Sequence, residues 1–138
     1  MEELGSYRSP SVEHARVRDA MNEAIVTCSR DAGLREMGRL MASRHIHSLV
    51  ISLGDPPRWA LVSDIALAQS AIDRPDATAE DLAVPATGIS PEATLSRAID
   101  VMRDQGTSHL IVTDTESGQP TGMISALDIA GILAWGEG

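Results

Sequence analysis

The chain has 138 residues, enough for one compact domain or two very small ones around a shared core, and 43% of them are hydrophobic. Net charge is −9 and every basic residue is Arg, which excludes a Schiff-base lysine and a Walker-type phosphate lysine. The acidic balance repels phosphate backbones, and a supply of only Tyr7, Trp59 and Trp135 gives no stacking platform, so nucleic acid is not an expected partner.

Residues 1–13 read as a loose, polar arm without the apolar run of a signal peptide. Val17-Arg18-Asp19-Ala20-Met21 suggests a short helical turn. Ser29 is a candidate N-cap for a helix over residues 30–44, whose apolar stripe is Leu34, Met37, Gly38 and Met41. Residues 47–52, containing Leu49-Val50-Ile51, read as a buried strand, Gly54-Asp55-Pro56-Pro57 as a turn and residues 59–63 as the returning strand. A helix over 64–72 follows, then a linker around Asp73-Arg74-Pro75-Asp76.

Thr78-Ala79-Glu80-Asp81 places acids in a first helical turn, where the dipole favours them. Ser90-Pro91-Glu92 combines an N-cap Ser, Pro at the first helical position and an acid, opening a helix that stops at Gly106. Residues 109–113 read as a strand, 114–120 as a hairpin loop, 122–125 as the return strand and 126–134 as a last helix. No apolar stretch approaches the ~20 residues of a membrane span, so a soluble, cytoplasmic protein without a membrane partner is expected.

The pattern occurs twice. Leu95, Ala98, Ile99 and Met102 repeat the first stripe, and Leu110-Ile111-Val112 the first apolar run; 95 − 34 and 110 − 49 both equal 61. A fixed period marks duplicated supersecondary units. The expected class is α/β (α+β): two β-α-β-β-α repeats packed about a pseudo-twofold axis. The expected parts are an arm at 1–15, repeat 1 at 16–73, a linker at 74–77 and repeat 2 at 78–138.

Gly122-Met123-Ile124-Ser125-Ala126-Leu127-Asp128-Ile129 is similar to the Gly-apolar-apolar-Ser/Thr-x-x-Asp-apolar signature of cystathionine-β-synthase (CBS) domains. Gly88-Ile89-Ser90-Pro91-Glu92-Ala93-Thr94-Leu95 resembles the segment that opens each family helix. With the duplication, the chain from about Arg16 to Trp135 resembles a tandem CBS pair. The resemblance implies a regulatory module, not an enzyme, that requires no cofactor. It senses an adenosine-type ligand (AMP, ADP, ATP, S-adenosylmethionine or NAD), commonly forms a homodimer and signals to an effector protein in trans. On this chain it implies that Asp128 accepts from the ribose diol and Ser125 donates toward phosphate. It also implies that Thr87 and Ile89 lie near base or sugar, and that His109, Leu110 and Ile111 form the strand whose backbone reads adenine. The chemistry suits these types: a carboxylate can accept two vicinal hydroxyls, and charge-assisted bonds are the stronger kind.

Repeat 1 departs from the signature, because an offset of 62 pairs Ser63 with Ser125 but Ala66 with Asp128. The competing reading is therefore a dimerising scaffold with a vestigial cleft. The remaining chemistry-bearing residues read as structural. Cys28 falls in an apolar slot and can form no internal disulfide, and His45 and His47 have no further ligands nearby for a metal. No nucleophile–base arrangement is recognisable.

Overall fold

In the computed structural model, residues 11–54 and 58–135 are described. The turn residues Asp55-Pro56-Pro57 and residues 1–10 of the arm lie outside them. In chain order the elements are α1 (Ser11–His14), α2 (Val17–Ala20), α3 (Leu34–Arg44), β1 (Ser48–Ser52), β2 (Trp59–Ser63), α4 (Asp64–Asp73) and α5 (Ala79–Leu82), followed by β3 (Val84–Pro85), β4 (Gly88–Ile89), α6 (Leu95–Gln105), β5 (His109–Thr113), β6 (Pro120–Ser125) and α7 (Ala126–Trp135). Mixed helix and strand content around two small sheets is the α+β class expected, and none of the described helices is long and apolar enough to cross a membrane.

Two compact units result: a central one, Ile25–Ala86, and a terminal one built from Met1–Ala24 together with Thr87–Gly138. In the central unit β1, β2 and β3 form an antiparallel sheet, with Leu49 opposite Val62 and Ile51 opposite Ala60. Thr27 adds a parallel bridge to Val50 on the free side of β1. Leu49, Val50 and Ile51 are all buried, as a continuous apolar run in a covered strand requires. Met37 and Met41 of α3 close the core over Leu49, Ile51, Ala60 and Val62.

The terminal unit repeats this plan. β4 pairs parallel with β5, β5 pairs antiparallel with β6, and Asn22 bridges antiparallel to Met123 on the outer edge of β6. Leu95, Ala98 and Met102 of α6 pack over Leu110, Val112 and Ile124, and Val17 of α2 is fully buried in the same cluster. Gly106 ends α6 in the left-handed region (φ 65°), where a side chain is disfavoured.

The units do not coincide with the sequence repeats, because each takes a helical turn from the other repeat. In the terminal unit α2 docks through Val17 N–H to Ala93 O (2.8 Å) and Arg18 N–H to Pro91 O (3.0 Å). In the central unit α5 docks through Ala79 N–H to Ala32 O (2.8 Å) and Glu80 N–H to Arg30 O (2.9 Å). An ion pair guards each joint with polarity reversed: Arg18 donates to both carboxylate oxygens of Glu92 at 2.8 and 2.9 Å, and Glu80 faces Arg30 at 3.9 Å.

These joints correct the expected helix starts. The helices begin at Leu34 and Leu95, four residues later than Arg30 and Pro91, with Gly33 and Thr94 as N-caps. Ser29 and Ser90 instead hold turns, accepting from Asp31 N–H and Glu92 N–H. The expected loose arm is helical over Ser11–His14, where α1 lies against α6 and α7.

Candidate functional site

At the end of the β5–β6 hairpin the chain passes from strand to helix with no intervening loop. Ser125, the last residue of β6, is half-buried and caps α7 by accepting from Asp128 N–H at 3.1 Å. The Asp128 carboxylate turns back: its Oδ2 accepts from Ser125 N–H at 2.8 Å and from Ser125 Oγ–H at 3.0 Å. This reciprocal capping box leaves Oδ1 without a partner among the described residues. With the N–H groups of Ser125, Ala126 and Asp128 all engaged, the fixed carboxylate oxygen at the start of this ten-residue helix is an acceptor suited to hydroxyls.

His109 stands directly opposite Ser125 in the antiparallel register, so their side chains leave the same face of the sheet. Its ring Nδ1 shares a 3.0 Å hydrogen bond with Ser108 Oγ, and the Ser108 carbonyl accepts from Ala126 N–H, the first of α7. Thr107 Oγ1 accepts from His109 N–H and donates to His109 O. Ser108 and Thr107 escaped the reading of the sequence. The available signal was two hydroxyl residues between a left-handed glycine cap and a strand, where such side chains bond the local backbone.

The other expected site residues lie on β4, β5 and the residue preceding β4, in the same unit. Thr87 is half-buried, and its carbonyl accepts from Ile111 N–H at 3.0 Å. Ile89 and Leu110 are core residues, so only their main-chain groups can face a ligand. Ile111 is fully buried and lies on the central strand of its sheet, with its N–H already bonded to Thr87. The structure thus gathers Ser125, Asp128 and His109 at one corner, while the side chains of Ile89 and Leu110 belong to the core and that of Ile111, on the opposite face of β5 from Leu110, is fully buried.

The matching corner of the central unit has different chemistry. Ser63 caps α4 by accepting from Ala66 N–H at 3.1 Å, and with Ala at position 66 no carboxylate returns to the cap. Asp64 points instead to His47, whose Nδ1 donates to its Oδ2 at 2.9 Å. That bond holds the Asp64 carboxyl below the usual carboxylate range, helped by the Ile65 N–H. His45 caps α3 in the left-handed region (φ 54°), and His47 precedes the first residue of β1, so neither lies in a strand. Cys28 is half-buried against the central core, and burial, seconded by the Glu36 charge, raises its thiol pKa.

Two sheets built on one plan, each followed by a Ser-capped helix, define a tandem α+β module of two repeated units. A sequence model of the CBS domain matches residues 17–56 and 74–134, and the chain belongs to the CBS domain family. It is structurally similar to the CBS domain pair of protein MJ0100 in complex with 5′-methylthioadenosine and S-adenosyl-L-methionine (TM-score 0.74, 14% identity, covering 88% of this chain and 98% of that one). It is likewise similar to a CBS domain protein from Pyrobaculum aerophilum complexed with AMP (0.72, 22%, 88% and 97%). A third neighbour is the CBS domain of the bacterial CNNM/CorC family Mg2+ transporter (0.78, 16%, 91% and 78%). No curated protein sequence matches the chain.

Proposed function

We propose that this chain is a regulatory module that binds one adenosine-type ligand, drawn from AMP, ADP, ATP, S-adenosylmethionine and NAD, at the corner formed by Ser125, Asp128 and His109. The observation that carries this reading is the Asp128 carboxylate: one oxygen is pinned by Ser125, and the other is free of the described residues to accept from a ribose diol. The same fold in proteins solved with AMP and with S-adenosylmethionine supports the ligand class. Ligand binding shifts the population of module conformations by its differential affinity, and an effector protein in trans reads the shift. No catalytic step, cofactor or membrane partner enters this scheme, and the module works in the cytoplasm as a homodimer.

Thermal unfolding against a panel of the five ligands tests it. A ligand at 100 times its dissociation constant adds about 2.7 kcal/mol to stability. A stabilising response to at least one of them, lost in Asp128→Ala, is the expected result; no response to any refutes the reading.

One observation favours a second reading, a dimerising scaffold. The Ser125–Asp128 capping box stabilises α7 without any ligand, so the pair has a structural role of its own. Absence of ligand response with dimerisation intact is the outcome that selects it.

A further inference from the structure

We propose that the Asp128 corner selects adenosine ligands whose 5′ substituent is cationic or neutral, a sulfonium above all, and discriminates against 5′-phosphates. This rests on the ligand reading above and narrows it to one part of the panel.

A 5′-phosphate needs donors or a cation near the ribose. The donors at the corner are already engaged. Ser125 N–H and Oγ–H both go to Asp128 Oδ2, Asp128 N–H goes to Ser125 Oγ, and Ala126 N–H goes to the Ser108 carbonyl. The donation toward phosphate expected of Ser125 is therefore committed inside the capping box. Thr107 Oγ1–H is likewise committed to His109 O. His109 Nδ1 is tied to Ser108 Oγ, so among the described residues only its Nε2 and the Leu127 amide remain for a phosphate oxygen.

Charge points the same way. After Arg103 the chain has no Lys or Arg, so Asp128 is the only formal charge on α7, and neither β5 nor β6 carries a basic residue besides His109. The four arginines described in the terminal unit are placed elsewhere. Arg16 donates to Glu92 O at 2.8 Å, and Arg18 to the Glu92 carboxylate. Arg97 lies in the first turn of α6, at the other end of that helix from Gly106 and the start of β5. Arg103 pairs with Asp100 at 3.6 Å and lines a groove with Ala126, Ile129, Ala130 and Leu133. Asp128 follows Ala126 by two residues, about 200° around the helix, so Arg103 and Asp128 flank opposite sides of α7.

Asp128 thus acts on a ligand both as a hydroxyl acceptor and as a fixed negative charge. When Oδ1 takes a ribose hydroxyl, the 5′ substituent lies one sugar ring away, within the Debye length of about 8 Å at physiological salt. A phosphate there meets like charge and a sulfonium meets opposite charge, and the chain's net charge of −9 adds to both effects.

Titration calorimetry of S-adenosylmethionine, adenosine and AMP at low and high salt tests the selectivity. Adenosine against AMP isolates the phosphate. The wild type is expected to bind AMP more weakly than adenosine, and about tenfold or more weakly than S-adenosylmethionine, with the gap closing as salt rises. Asp128→Asn keeps an acceptor oxygen but drops the charge, so it weakens S-adenosylmethionine more than AMP and narrows their ratio severalfold. AMP binding the wild type as tightly as adenosine or S-adenosylmethionine overturns the proposal and leaves the ligand reading standing. A ratio that neither salt nor Asp128→Asn moves overturns it too. Absence of binding by any of the five ligands removes the ligand reading itself.

Discussion

Replacing Asp128 separates its two roles. Its Oδ2 holds the Ser125 N–H and Oγ–H, while Ser125 Oγ keeps its own bond to the residue-128 N–H whatever the side chain. Asp128→Ala therefore removes the return half of the capping box and leaves the forward half. A lost cap costs about 0.5–2 kcal/mol, and with half of the box kept the expected loss is about 1 kcal/mol in urea unfolding. Ligand affinity loses a charge-assisted hydrogen bond, about 1.5–3 kcal/mol, or tenfold to roughly 150-fold in dissociation constant. Asp128→Asn keeps an acceptor oxygen but not the charge, so it recovers most of the stability and only part of the affinity. Calorimetric titration with AMP and with S-adenosylmethionine, beside urea unfolding of the same variants, measures both. Wild-type affinity in Asp128→Ala refutes the placement of the site, as does a larger loss in Asp64→Ala, whose carboxylate is engaged with His47.

Gly122→Ala sets a Cβ 2.9 Å from Asn22 O and 3.1 Å from Met21 Sδ, so the Asn22–Met123 bridge must shift; unfolding should show a loss of about 1–3 kcal/mol, and an unchanged midpoint refutes the clash. Because burial and Glu36 raise its pKa, Cys28 should be alkylated by iodoacetamide at pH 8 more slowly than a free thiol, and Glu36→Gln should speed it; a fast wild-type rate contradicts this. Asp64 and Asp81 both have pKa values held below the ordinary carboxylate range, chiefly by His47 in one case and by the Thr78 N–H in the other. Such groups stabilise the fold above the unfolded-state carboxylate pKa, and the stability is lost as pH falls through the lowered folded values. Acid titration followed by circular dichroism should find Asp64→Asn less sensitive than wild type below about pH 4; identical acid limbs argue against a stabilising His47–Asp64 bond.

Strands and long helices were legible in the sequence because their signals are local. The runs at 49–51 and 110–112 are β-branched and apolar, β2 and β5 have the expected limits, and Thr78 caps α5 with Asp81 closing the box. Gly106 ends α6 because only a short-range backbone conformation is at stake there. The helix starts at 30 and 91 were misplaced for the opposite reason. Ser29 and Ser90 are sound local caps, yet the carbonyls of Arg30, Ala32, Pro91 and Ala93 are taken by N–H groups of α5 and α2, which arrive from 47 or more residues away. A helix over those residues would have turned the same carbonyls inward, so the long-range joint prevails over the local cap. The signature leads to the expectation of a ribose-binding acid at position 128. That its carboxylate is held by Ser125, with only one oxygen free, is decided by the strand-to-helix geometry at the end of β6, which sets the N-cap within reach of the third helical residue.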